Sequence, residues 1–365
     1  MVYQLTSESA LLTPVTVGAT AAANRIFMAP LTRQRAQADG TPSDLQVEHY
    51  RQRAGAGLII TEATHVSATA GGAYLNTPGI HTDRHQQRWA EVAEAVHGEG
   101  GKIFVQIWHV GRVAHPLIPG GEHPVAPSAI AAEGSAHTPE GSKPLVTPRA
   151  LETDEIAGIV DSFRTAARRA VDAGLDGVEI HAANGYLLHE FLGDDSNQRT
   201  DAYGGSPANR ARIVVETVQA VVDEIGADRV GIRLSPGHQA NGMNEADPVT
   251  VYQELLRTLA DIPLAYVHLL IEPDDPTLAT LRSEITSPVV INTGFVIESD
   301  FAQLESLVAN GTADAVSVGR WFISNPDLVE RLRTGVELTA PDQSTFYSPG
   351  AKGYTDYPTL VGQSA

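Results

Sequence analysis

The chain predicts a single α/β domain over residues 1–365, folded as a (β/α)8 TIM barrel. Three observations predict it: short Val- and Ile-rich apolar runs alternate with amphipathic stretches, eight such units occur in sequence, and no glycine-rich dinucleotide fingerprint follows the first run. Length agrees, because about 250 residues suffice for such a barrel and 365 residues with 42% hydrophobic content leave room for insertions around one large core. The apolar runs predict strands at 25–28, 58–62, 102–108, 177–181, 230–234, 266–270, 288–292 and 315–318. The intervening stretches predict helices at 43–53, 83–99, 153–173, 209–225, 248–260, 276–285, 298–309 and 325–334. Boundary chemistry supports several of these: the Ser206 hydroxyl is placed to cap free amides with Pro207 in the first turn, and Gly174 is placed to end the helix before the fourth strand. Two segments exceed what a barrel needs. The stretch 109–152, dense in Gly, Pro and His, is expected to lie over the barrel mouth and to take part in substrate choice; the other is the tail beyond Gly335.

Composition narrows the function. The 44 acidic and 25 basic side chains give a formal charge of -19, which disfavours nucleic acid and anionic membrane surfaces as partners. The first residues, MVYQLTSESALLTPV, are polar and broken by Pro14, so no export signal or membrane span is expected and the enzyme is placed in the cytoplasm. Absence of cysteine excludes disulfides, thiolate catalysis and cysteine-ligated iron–sulfur clusters. His81 and His85 are spaced as a helical pair, and His109, His115 and His123 cluster in the long excursion. Neither set has the supporting ligands of a metal centre, so no metal is expected.

In barrels of this kind the chemistry sits at the carboxyl ends of the strands. Thr32 follows the first strand, Gln106 and His109 lie at the third, His181, Asn184 and Tyr186 follow the fourth, and Arg233 is in the fifth. Taken singly, each is compatible with a hydrogen-bonded or ion-paired core residue. Gly294 and Gly319, after the last two strands, place backbone amides where an anion could approach, and Arg320 adjoins the second. That pairing points to a phosphate-bearing ligand.

The segments MAPLTR, YRQRAGAGLIITEAT, VQIWHVGR, HAANGYLLHEFL, NQRTDAYGGSPANR, VGR and FYSPGAKGYTDYPTL occur in an order and spacing that resembles the old yellow enzyme family of FMN-dependent ene reductases, from about residue 10 to residue 360. The resemblance implies tightly bound, non-covalent FMN. It assigns Thr32 to flavin O4, Gln106 to the pyrimidine edge, Arg233 to the N1 and O2 side, and Pro30 and Ala63 to the ring. Gly294, Phe295, Gly319 and Arg320 match the phosphate cradle, and Phe346 with Tyr347 match the tail residues over the cofactor. His181 and Asn184 match the pair that grips the substrate oxygen, Tyr186 the proton donor, and Tyr74 and Trp108 the pocket wall.

The implied reaction is ping-pong. NADPH or NADH reduces FMN, and an activated alkene such as an α,β-unsaturated ketone, aldehyde or nitroalkene then receives hydride at Cβ and the Tyr186 proton at Cα. Two stretches depart from the family pattern: SPGHQANGMNEADP after the fifth strand, and HLLIEP at the sixth. Zero cysteine removes the iron–sulfur branch of related flavoenzymes. A flavin-free, phosphate-binding barrel lyase and a noncatalytic flavin-binding protein stand as alternatives.

Overall fold

In the computed structural model, which describes residues 2–294 and 299–360, eight parallel strands close on themselves. They are β1 (Ile26–Met28), β2 (Ile59–Ile60), β3 (Ile103–Trp108), β4 (Gly177–Ala182), β5 (Val230–Leu234), β6 (Tyr266–Leu270), β7 (Val289–Asn292) and β8 (Ala315–Val318). Closure is the pairing of β8 with β1, Val316 opposite Ile26, and of β4 with β3, Val178 opposite Val105. Every residue of all eight strands is buried, which is why they read as continuous apolar runs and not as alternating ones.

The helices outside the barrel are α1 (Asp44–Arg51), α2 (Asp83–Gly98), α3 (Ile156–Asp172), α4 (Leu187–Leu192), α5 (Pro207–Ile225), α6 (Pro248–Leu259), α7 (Pro276–Arg282), α8 (Phe301–Ala309), α9 (Arg320–Ser324) and α10 (Leu328–Thr334). Local chemistry sets their starts. The side chains of Thr82, Ser206, Asp247, Asp275 and Asp300 each accept a hydrogen bond from a first-turn amide, and three of these helices have proline in that turn. Gly174 takes φ 86° after α3, a conformation that glycine reaches without a Cβ clash.

The predicted elements differ from the structure mainly at helix ends and in short pieces. The helix expected from 153 begins as a 3-10 turn, Thr153–Glu155, before α3. The one expected at 325–334 starts only at Leu328. Helices α4 and α9 were not expected at all: six and five residues, all but Arg320 buried, are too short to show a helical period. Residue 298, the expected start of the eighth helix, lies outside the described residues. At the amino-terminal end of the barrel a hairpin, Val15–Val17 paired with Thr20–Ala22, packs Val17 and Ala22 onto Phe27, Leu58, Ile60, Phe104 and Tyr266. This apolar layer floors the barrel, and the polar residues lie above it toward the strands' carboxyl ends.

Candidate active site

Period-two alternation along each strand sends one set of side chains inward, and the parallel register aligns them between neighbours. Gln106 of β3 lies opposite Glu179 of β4, His181 opposite Arg233 of β5, and Arg233 opposite His268 of β6. A chamber of about 330 Å³ opens above them, walled by residues from the carboxyl ends of the strands, the loops that follow them and the tail.

Gln106, Arg233 and Asn292 form its deep side. Arg233 is 2% exposed; burial lowers its pKa, and its Nε has no partner within the chain. Ala29, Pro30, Leu31, Thr32 and Ala63 form one flank. Gly294, Gly319 and Arg320 border another. Gly294 sits at φ 118°, and a Cβ there would come within 2.8 Å of a Glu272 carboxylate oxygen, while one on Gly319 would meet Leu31 at 3.3 Å. Phe295 lies outside the described residues.

The opposite wall holds His181, Asn184 and Tyr186, with Trp108 and Tyr74 beside them. Their rings brace one another: Trp108 lies nearly parallel to His181 with centroids 6.0 Å apart, and the Tyr186 ring meets both edge-on at 4.6 and 5.1 Å. Burial, then the nearby Arg233 charge, holds the His181 pKa well below its ordinary value, so the imidazole is neutral at pH 7. Its Nδ1 and Asn184 Oδ1 are buried without a partner in the chain. Tyr186 is 7% exposed, and its hydroxyl lies 3.0 Å from that of Tyr74. Burial, then Tyr74, pushes the Tyr186 pKa well above that of a free phenol, so this group stays protonated across the working pH range.

The loop after β4, which carries Asn184 and Tyr186, is tightly held. Asn184 takes φ 60°, its N–H donates to Ser235 Oγ at 2.8 Å, and its carbonyl accepts from Asn241 Nδ2 at 2.8 Å. Gly185 N–H donates to His189 Nδ1 at 2.8 Å, and the Tyr186 carbonyl accepts from Glu190 N at the start of α4. Asn241 also borders the chamber and hydrogen-bonds toward the Tyr186 hydroxyl, which lowers that pKa in opposition to burial.

Phe346 and Tyr347 close the chamber from the tail, and buried arginines hold that segment in place. Arg33 donates to the carbonyls of Phe346 (3.0 Å) and Gly353 (2.7 Å), and Arg35 to those of Phe346 (2.6 Å) and Thr345 (2.8 Å). The Arg35 and Arg33 guanidinium groups also lie 4.6 and 5.1 Å from the centre of the Tyr354 ring, which stacks parallel on His49 at 3.9 Å.

The model of the NADH:flavin oxidoreductase / NADH oxidase family matches residues 10–339. A flavin oxidoreductase of Emericella nidulans is 44% identical, over 95% of this chain and 97% of its own length. This chain belongs to that family. Rice (Oryza sativa subsp. japonica) 12-oxophytodienoate reductase 1 is 42% identical over 96% of the chain and 93% of its own length. The solved structure of the old yellow enzyme homologue from Zymomonas mobilis superimposes with TM-score 0.92 at 41% identity, over 96% of this chain and all of that one. Morphinone reductase does so with TM-score 0.91 at 45% identity, over 98% of each. The protein is thus an FMN-dependent oxidoreductase of the old yellow enzyme type, with an NAD(P)H reductant.

The chamber fits such a cofactor. Unpartnered Arg233 Nε supplies a buried donor and positive charge on the deep side, and the Gly294 and Gly319 backbones with Arg320 supply an anion-accepting rim. Of the residues singled out for the catalytic end of the barrel, all that are described line the chamber except His109, which is buried; His81, His85, His115 and His123 do not line it.

Among the described residues none of 109–152 lines the chamber directly, although Val110, Val113 and Ala114 pack with Trp108, Tyr74 and Tyr186, which do. That excursion also folds into its own short pairings, Ser135–Thr138 with Gly141–Pro144 and Val125–Ala126 with Arg149–Ala150. Glu133 packs against Gly242, so the excursion buttresses from behind the segment that places Ala240 and Asn241 in the chamber. Asn241, Asn292 and the Arg33/Arg35 clamp were not foreseen. Among the described residues no group of three or more His, Asp or Glu is arranged to hold a metal, and no helix is long and apolar enough to cross a membrane.

Proposed function

We propose that the chain works as one FMN-binding barrel domain that reduces activated alkenes, with NADPH as reductant and with His181, Asn184 and Tyr186 as the groups that act on the substrate. The observation that carries this is the convergence of those three side chains, His181 from the end of β4 and the other two from the loop after it, onto the same chamber that Gln106 and Arg233 border from below. When bound there, FMN supplies hydride transfer from the nicotinamide to the β carbon of the alkene. Gln106, with an amide that donates and accepts, and Thr32 would hold the polar edges of the ring. Arg233 would favour negative charge on the reduced cofactor, and Gly294, Gly319 and Arg320 would hold its phosphate.

Neutral His181 and the Asn184 amide each offer an N–H donor toward a carbonyl or nitro oxygen. Charge grows on that oxygen as hydride reaches Cβ, and in comparable oxyanion sites one such donor lowers the barrier by about 3 kcal/mol. Tyr186, kept protonated by burial, delivers its proton to Cα. Its oxygen faces Tyr74 and Asn241, which can both donate to it and so leave its own hydrogen free for the substrate.

Morphinone reductase has been solved with tetrahydroNAD, and its likeness to this chain supports a nicotinamide that docks at the same chamber. Because one chamber serves nicotinamide and alkene in turn, initial-rate plots at several fixed alkene concentrations should give parallel double-reciprocal lines. Converging lines would show both ligands bound together and contradict the shared chamber.

A further inference from the structure

Beneath the chamber lies a buried polar layer that the alkene chemistry does not touch. Glu179 Oε1 accepts from Gln106 Nε2 at 2.7 Å, and Oε2 accepts from His268 Nδ1 at 2.8 Å. On its other edge His268 Nε2 lies 2.8 Å from Ser317 Oγ and 2.6 Å from Arg233 Nη1. Arg233 Nη2 donates to Asn292 Oδ1 at 3.3 Å, and Asn292 Nδ2 donates to the Ser317 carbonyl at 2.9 Å. Glu179 and His268 have no exposure at all.

Two features set this layer apart from ordinary packing. Replacing a buried ion pair with well-packed apolar side chains is often neutral or stabilising, so stability alone gives little reason for a carboxylate in the barrel's centre. In addition, the side chains at the two ends of the bridge, Gln106 and Arg233, are those that border the chamber. Burial, then Arg233, lowers the His268 pKa to about 4, so its ring is neutral at pH 7. Burial works to raise the Glu179 pKa, but the hydrogen bonds from His268 and Gln106 and the Arg233 charge hold the group below its ordinary value, so it is ionised. One negative and one positive side chain therefore face each other across a neutral imidazole.

We infer that Glu179, acting through His268 and Gln106, is a positioning residue and counter-charge that sets the reduction potential of the flavin. The inference rests on the reading that Gln106 and Arg233 hold the pyrimidine side of FMN. Adding two electrons and one proton to oxidised flavin adds one negative charge, which Arg233 favours and Glu179 opposes. Glu179 thus tempers the pull of Arg233, while its bonds to Gln106 and His268 fix where both ends of the layer point.

The test uses the FMN-loaded enzyme and reads the potential by anaerobic equilibration with a reference dye, and FMN release by recovery of free-flavin fluorescence. Glu179→Gln should shift the potential upward. Glu179→Asp keeps the charge but shortens the reach, so its potential should stay near the wild-type value while FMN leaves several-fold faster. An unchanged or lowered potential in Glu179→Gln would overturn the inference. If that variant does not fold, Arg233→Gln is compared with Arg233→Gln/Glu179→Gln, which carries no unpaired buried charge. The double variant should have the higher potential, and an equal or lower one overturns the inference. A wild-type chain that binds no FMN would instead overturn the flavin reading, a failure visible before any variant is made.

Discussion

Replacing Tyr186 with Phe removes one oxygen atom and leaves the ring, so its effect is worked out from what that oxygen touches. The edge-on contacts with Trp108 and His181 belong to the ring and survive. The hydroxyl's 3.0 Å contact with Tyr74 is lost, but Tyr74 is only partly buried at the chamber wall and water can take the vacated place. The stability loss should therefore be about 1 kcal/mol. Catalysis should suffer far more. A positioned general acid contributes about 10²- to 10⁴-fold, equivalent to roughly 3–5 kcal/mol of barrier, and the loss falls only on the step that protonates Cα. In anaerobic stopped-flow mixing, reduction of the bound flavin by NADPH should keep its wild-type rate, while reoxidation by 2-cyclohexenone should slow by about two to four orders of magnitude. Equal losses in the two half-reactions, or no loss in the second, would refute the role given to Tyr186.

Other perturbations probe the scaffold around it. Gly185 sits at φ 75° between Asn184 and Tyr186, and a Cβ there would come within 2.5 Å of the Ala240 carbonyl. Gly185→Ala should destabilise the fold by at least about 1–2 kcal/mol in urea titrations and weaken binding of phenolic ligands. Arg35→Ala removes charged hydrogen bonds to the carbonyls of Thr345 and Phe346. It should cost about 2–4 kcal/mol, with faster FMN release and preferential proteolysis near residue 346. His109 and His268 are both buried with pKa values lowered to about 4, burial being the first cause. The unfolded chain, with histidines near 6.5, binds more protons than the folded one between pH 6.5 and 4. Stability should accordingly be full above pH 6.5 and fall as pH drops through that window, by up to about 1.4 kcal/mol per unit for each histidine. Urea midpoints at pH 7 and pH 5 measure this, and equal midpoints would contradict the buried neutral state of both rings.

The sequence exposed the barrel well because its strands are buried throughout: β5, β6 and β8 begin and end where the apolar runs do. Helices α4 and α9 escaped because LLHEFL and RWFIS are too short and too apolar for a helical period to stand out. Side chains at strand ends were readable, since each follows an apolar run directly. The layer below them was not. Glu179 and His268 lie within VEIHA and YVHLL, and only the register that places Glu179 opposite Gln106 and His268 opposite Arg233 shows that they face inward together. Two charged or titratable residues inside apolar strands on either side of β5 were the available signal. The contacts of the excursion were hidden for a different reason. Its position after β3 puts it on the correct end of the barrel, but its side chains pack on one another, on the 240s segment and against the Trp108, Tyr74 and Tyr186 rings, a tertiary outcome that composition does not encode.

The account's central claim is that one chamber passes reducing equivalents from a nicotinamide to an alkene through bound FMN. Its most direct test is an anaerobic two-step titration of the purified, yellow protein. One equivalent of NADPH should bleach the flavin absorbance, and after removal of free nucleotide 2-cyclohexenone should restore it while cyclohexanone appears in equal amount. A flavin that stays bleached until oxygen is admitted, or a colourless protein that still reduces the enone, would contradict the account.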